Sequence, residues 1–448
     1  MQEASFVLVT IGLAAGLALL GEALRLLVPG LRNVFLPGAV LGGMLGLAIG
    51  PQINPLAADA SFVRQIYGTL GELPGLFINV VFACLMLGRR IEPFSMIWQR
   101  ARPQIVMGHV YAWGQYVVGL VLVLLVLAPF VETDSLAGLT IAIGFQGGHG
   151  TAAGLQDTFA GFGFPDGKTV AYALATFGVI GGCTVGPLLA TWFGKHHPIE
   201  STPDQPGGSP ENEEKEAPVE MSPLTGQLTM HLALVALVIL GGYGIRSGLE
   251  WVEGLLRPGA GPLYTPYIPL FSVVLLVGFG AQLLFQASRL DRLIRRPLVD
   301  ALSGLALDVV IVSALATLAL AVVAEYWIST LALCLAGLGW NLAVFFLLGP
   351  RVYQKPWHAY GLGDFGGGTA TTATGLLLIR VADPKQRTEA RQAYSEKQPF
   401  YEPFMGGGLV TAFAVPVTAG LGAGAALGIA ATVLGLWIAY AVVLARRR

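Results

Sequence analysis

The sequence predicts an all-α polytopic membrane protein, with about 11 transmembrane helices in two inverted five-helix repeats, each holding a glycine-rich re-entrant hairpin, plus a C-terminal helix. Three observations carry this prediction. Of the 448 residues, 54% are hydrophobic and 12% charged, and the mean hydropathy is +0.67; soluble domains carry about 25% charged residues. Apolar runs of roughly 17 to 25 residues, long enough for about 30 Å of hydrocarbon, recur along the whole chain. The same order of motifs then occurs on both sides of one polar stretch.

The apolar runs lie at about 5–28, 34–50, 73–88, 104–129, 169–193, 227–249, 267–287, 302–323, 328–349, 403–420 and 424–445. The first opens with MQEASFVLVTIG, which has an acidic residue in place of a basic leader and no small-residue cleavage site after it, so it is expected to be a retained helix. Small-residue patterns at 42–50 and 420–428 are of the kind that lets helices pack closely. Cys84, Cys183 and Cys334 sit inside apolar runs, which argues against disulfides, and no metal-ligand spacing occurs. Residues 195–226, rich in Pro, Glu, Ser and Gly, cannot bury a core and are expected to be a disordered cytoplasmic linker, with His196 and His197 as solvated members of it.

The segments flanking this linker match each other. GLFINVVFAC at 75–84 aligns without a gap on GLALDVVIVS at 304–313, which sets Asn79 opposite Asp308. Each is followed by a long apolar run, then by a glycine-rich stretch (GGHGTAAG and GGGTATTATG), then by a glycine cluster ending in proline (GVIGGCTVGP and GGGLVTAFAVP). Five spanning helices per half is an odd number, so the second copy is inverted. The expected units are 1–194, the linker, 227–420, and an extra helix in 421–448.

Charge placement sets the orientation. With the N-terminus outside and the C-terminus cytoplasmic, all but four of the 26 Lys and Arg residues fall at cytoplasmic ends and loops, the four being Arg64, Lys168, Arg246 and Arg257. This holds if the glycine-rich stretches 136–158 and 361–380 each enter and leave by one face.

Non-helical backbone is tolerated at membrane depth only where protein or a water-filled cavity surrounds it. Glycine permits the turn and the close approach of a ligand, and the N–H groups exposed where the second leg starts suit an anion. In the first stretch Gly147, Gly148 and Gly150 are expected to shape the tip, with Gln146 and His149 offering hydrogen bonds and Thr151 opening the second leg. In the second, Gly366, Gly367 and Gly368 are expected to take the turn, followed by Thr369, Thr371 and Thr372. Asn79, Asp308 and Asp364 are candidates for binding a cation. Asp308 suits either a cation ligand or proton carrier, or a structural hydrogen bond; Asp364 suits either a helix cap or a cation ligand. Glu22 and Arg25 have the spacing of a local pair, and His109 and His231 are expected to be satisfied core residues.

Inverted repeats with a site at their meeting point recur in secondary transporters. A channel would show a ring of charge or a filter repeat, and neither is present. No HExxH, cysteine pair or serine-nucleophile motif occurs, so the chain is not read as an enzyme, and no cofactor is expected.

The run GGHGTAA, followed by FGFPDGKTVAYALATFGVIGGCTVGPLLATWFGKH at 162–196, resembles the bacterial sodium/glutamate symporters, and FLPGAVLGG at 35–43 is similar to an early element of that family. GLG at 361–363 is similar to the start of the family's second hairpin, but DFGGGTATTATG follows where TPTA is expected. The resemblance implies inverted five-helix halves with re-entrant loops, alternating access, Na⁺ as coupling ion, uptake of an anionic amino acid such as glutamate, and a homodimer in the bacterial inner membrane. The partners expected are the small anionic substrate and membrane lipid, with no nucleic acid. The related 2-hydroxycarboxylate transporters share the glycine-rich hairpins, which keeps di- or tricarboxylates as the alternative.

Overall fold

The computed structural model describes residues 2–28, 31, 35–197, 199, 224–257 and 264–446. Most of the linker expected over 195–226 lies outside the described residues. Among the described residues the regular structure is helical throughout. The first half runs α1 (Gln2–Leu27), α2 (Gly38–Ile49), α3 (Ser61–Met86), α4 (Phe94–Val131), then α5 (Ser135–Phe145) and α6 (Gly148–Gly154) in place of one long helix, then α7 (Gly167–His196). The second half runs α8 (Leu224–Leu256), α9 (Leu270–Ala287), α10 (Arg296–Ala316) and α11 (Trp327–Val352), then the pair α12 (Trp357–Thr369) and α13 (Thr372–Ala382), then α14 (Ala390–Tyr401) and α15 (Leu409–Leu421). Helix α16 (Ala423–Arg446) closes the chain.

Nine of the described helices are long and apolar enough to cross a membrane: α1, α3, α4, α7 to α11 and α16. The runs at 34–50 and 403–420 give shorter helices than expected, of 12 and 13 residues, about 18 to 20 Å at 1.5 Å per residue. The causes are local. Pro37, at φ −58° and ψ 140°, starts α2 late. Gly406 and Gly407, at φ +62° and +97°, turn the chain before α15 begins.

Glycine decides one close packing and not the other. A Cβ on Gly42 would run into the backbone of Leu17, and one on Gly21 into Gly38 and Gly42, so α1 and α2 touch backbone to backbone as the 42–50 pattern predicts. The 420–428 pattern is corrected: a Cβ on Gly420, Gly424 or Gly428 meets nothing within 4 Å, and Gly422, at φ +84°, makes the turn between α15 and α16.

The helices carrying the matched segments lie against each other. Leu70 and Leu73 of α3 share one buried cluster with Val309, Val312 and Ala316 of α10 and with Ala39 and Val40 of α2. Contacts come in exchanged pairs: α2 packs on α10 while α9 packs on α3, and α4 packs on α12 while α11 packs on α5. Helix α16 lies along α4, where Trp437 stacks on His109 with ring centroids 4.4 Å apart. His231 is satisfied as expected: Nε2 accepts from Arg295 N at 2.8 Å, so Nδ1–H donates to Gln227 O at 2.7 Å. Glu22 and Arg25 form the local pair.

Candidate binding cavity at two helix breaks

The first glycine-rich stretch breaks between α5 and α6. Gly148, at φ +70°, takes the left-handed conformation that a side chain disfavours. Gly147 N donates to Ala142 O at 3.2 Å, closing a wider turn than an α-helix makes. His149, 3% exposed, brings Nε2 to 3.0 Å from Thr176 Oγ1, whose own proton goes to Tyr172 O at 2.8 Å. In the neutral ring Nε2 is therefore the protonated nitrogen, and Nδ1 keeps its lone pair. Thr151 does not open the second leg: it lies within α6, and its hydroxyl donates back to Gly147 O at 2.8 Å.

The second stretch breaks later than predicted. Gly366, Gly367 and Gly368 do not form the turn but continue α12, and the break falls at Ala370 and Thr371. These glycines serve close approach instead. A Cβ on Gly366 would meet the backbone of Gly375, one on Gly367 the Tyr394 hydroxyl, and one on Gly368 the Tyr111 ring. Thr371 caps α13, its Oγ1 accepting from Thr374 N at 3.2 Å. Thr369 ends α12, with its hydroxyl on Phe365 O.

A broken helix orphans carbonyls that cannot go unpaired in an apolar surround. Here Gly368 O accepts from Gln115 Nε2 of α4 at 2.6 Å and from Asn341 Nδ2 of α11 at 2.9 Å. The two amides also join, Gln115 Nε2 to Asn341 Oδ1 at 3.1 Å, and neither residue is exposed at all. This clamp escaped the sequence reading, although an amide in an apolar run was the signal for it.

Both breaks open onto one cavity of about 380 Å³. The first contributes Gln146, Gly147, Gly148, His149 and Gly150; the second contributes Gly367, Gly368, Thr371 and Thr372, with Asp364 below them. Gln146 Oε1 accepts from Tyr401 Oη at 2.6 Å, while its Nε2 is buried with no protein partner. Three cations and three anions line the wall: Arg89, Arg296 and Lys397 against Asp300, Asp364 and Glu402. They pair as Arg89–Glu402 at 3.7 Å, Arg296–Asp300 at 2.6 Å, and Lys397–Asp364 in contact. Arg296 also donates to the carbonyls of Cys84, Leu85 and Leu87 at the end of α3. Glu402 accepts from Thr372 Oγ1 at 2.6 Å.

The three cation-site candidates do not converge. Asn79 borders a separate cavity of about 300 Å³ with Glu72, Gln156, Asp157 and Arg246; its Nδ2 donates to Gly75 O at 2.9 Å and its Oδ1 is buried and unpaired. Asp308 is exposed on α10 and does not line the cavity. Asp364 already holds a cation, the Lys397 ammonium, and accepts from Tyr353 Oη on its other oxygen. Lys397, counted with the cytoplasmic loops from sequence, is instead 3% exposed and inside. Thr151, Gly366 and Thr369 support the breaks from behind and do not line the cavity.

Fold and cavity together define a polytopic α-helical membrane protein whose chamber sits where two broken helices meet. The sodium/glutamate symporter family matches residues 6–348, and the chain belongs to that family. It is similar to the sodium/glutamate symporters of Escherichia coli (strain K12) and Shigella flexneri, at 28% identity over 271 residues with each. The match covers 58% of this chain and spans 59% of the length of each relative. The family match takes in the first break and ends before the second, which begins with α12 at Trp357.

Proposed function

We propose that this protein is a secondary transporter that takes up a small anionic amino acid of the glutamate kind together with Na⁺, by alternating access across the bacterial inner membrane. The observation that carries the reading is the single cavity shared by the two helix breaks, one from each half of the chain. Backbone N–H groups freed at α13, the hydroxyl of Thr371 and the unpaired Nε2 of Gln146 are neutral donors for carboxylates, and the wall charges balance each other, so the chamber receives an anion without a net field against it. Carbonyls freed at the breaks are oxygen ligands suited to a small hard cation.

Inverted repeats complete the reading. The exchanged packing of α2 on α10 and α9 on α3 is what a two-fold axis between the halves produces, and the bias of basic residues supports an orientation with the N-terminus outside and the C-terminus in the cytoplasm. The working unit is a homodimer in lipid. Glutamate carries one negative charge, so one Na⁺ makes the loaded step neutral, and a second adds an electrical drive of about 2.3 kcal/mol per 100 mV.

The test is uptake of labelled glutamate by purified protein in liposomes, with and without an imposed Na⁺ gradient. Accumulation that follows the Na⁺ gradient supports the proposal. Uptake indifferent to Na⁺ removes the symport, and uptake of dicarboxylates in preference to glutamate removes the substrate.

A further inference from the structure

Lys397 and Asp364 form the most enclosed charge pair lining the chamber, with side-chain exposures of 3% and 0%. They stand on different elements, Asp364 on α12 and Lys397 on α14, and both lie beyond the residues matched by the family. The ammonium is not held by the carboxylate alone. The rings of Tyr394 and Tyr401 stand 4.8 and 4.5 Å from Nζ, presenting their negative faces to it. Behind it lies Gly108 of α4, where an added Cβ would come within 3.0 Å of Nζ. The second oxygen of Asp364 is occupied by the Tyr353 hydroxyl. One carboxylate oxygen, two aromatic faces and a glycine backbone thus make a closed seat of ammonium size.

We propose that Lys397 is a tethered cation: its ammonium fills a monocation seat built on Asp364, Tyr394 and Tyr401, and supplies in fixed form the positive charge that a mobile cation would otherwise bring. A strap that only fastened α14 to α12 would need no aromatic faces and no place on the chamber wall, whereas Asp364, Tyr394, Lys397 and Tyr401 all line it. The charge count supports the same role. With Lys397 present the three acids of the wall meet three bases; without it the wall is left with one uncompensated carboxylate at membrane depth. The inference rests on the transport reading only for its consequence, that the empty chamber crosses the field neutral without borrowing an ion at Asp364. The seat itself is independent of what is transported.

The test reads thermal melting of the purified full-length protein at constant ionic strength, in choline chloride, which is too large for the seat, against methylammonium chloride and the alkali chlorides. K397A is expected to melt below wild type in choline and to regain a few degrees, saturably, in methylammonium or one alkali cation. Wild type and D364N/K397A are expected to show no such methylammonium response. A destabilised K397A that none of these cations restores, an equal response in K397A and the double variant, or a K397A that melts with wild type in choline, overturns the proposal. If K397A does not survive purification, D364N/K397M takes its place: recovery of this neutral pair where the single variant fails supports a charge seat, and equal loss of both overturns it. Glutamate uptake enters neither readout, so failure of the transport reading leaves this result interpretable.

Discussion

Gly148 separates backbone strain from space at the proposed binding site. Its φ of +70° lies in the left-handed region, and a Cβ built on it meets nothing within 4 Å. Gly148→Ala therefore creates no clash, and its whole stability cost is conformational, about 1 to 2 kcal/mol. That corresponds to a melting-point drop of about 2 to 8 °C in a mid-sized domain and less in a chain of this length. Gly148→Asn adopts the left-handed conformation more readily, so it should recover much of that loss. Both side chains project into the chamber, because Gly148 lines it. The expected pattern is stability in the order wild type, Asn, Ala, with glutamate KM raised in both variants and more in the larger Asn. Melting curves in detergent and uptake kinetics in liposomes measure the two axes separately. Equal stability of all three would refute the left-handed backbone, and wild-type kinetics in both variants would refute the break as part of the binding site.

Three further predictions rest on packing and buried hydrogen bonds. Gln115→Leu and Asn341→Leu each remove one donor from Gly368 O and should cost about 1 to 3 kcal/mol in thermal unfolding; because they share that carbonyl, the double variant should depart measurably from additivity. Gly42→Ala drives a methyl into the Leu17 backbone and should cost about 1 to 3 kcal/mol, whereas Gly428→Ala, with open space around it, should be neutral or stabilise by up to about 1 kcal/mol; the reverse order in melting temperature would contradict the α1–α2 contact. Arg296→Met leaves Asp300 unpaired and the last carbonyls of α3 uncapped, and Arg296→Lys should restore only part of the loss, since one ammonium cannot reproduce a fork reaching Cys84, Leu85 and Leu87.

Much of the architecture was legible in the chain. The apolar runs, read by length, correspond to nine long helices and two short ones, and the short ones are cut by Pro37 and by the glycines at 406–408. The first break was placed at its glycines because Gly148 needs a conformation that only glycine adopts freely. The second was misplaced because Gly366, Gly367 and Gly368 are required by neighbours, Gly375, Tyr394 and Tyr111, that no local pattern reveals. Helix α14 was passed over as polar loop. Its buried stripe of Ala390, Ala393, Tyr394, Lys397, Gln398 and Tyr401 has helical spacing, but it holds no large aliphatic side chain, only two alanines beside tyrosines and polar groups.

Hydrophobic length, the positions of Arg and Lys, and the duplicated order of motifs are properties of neighbouring residues, and they were enough for an all-helical membrane protein with an interruption in or beside each of two glycine-rich stretches. Which charges meet is a property of the chain's path. Asp364 lies 33 positions from Lys397, and Gln115 lies 226 from Asn341, so those pairings exist only once α4, α11, α12 and α14 are packed. A buried carboxylate or carbonyl must find its partner wherever the fold brings one within about 3 Å, and that distance is set in three dimensions.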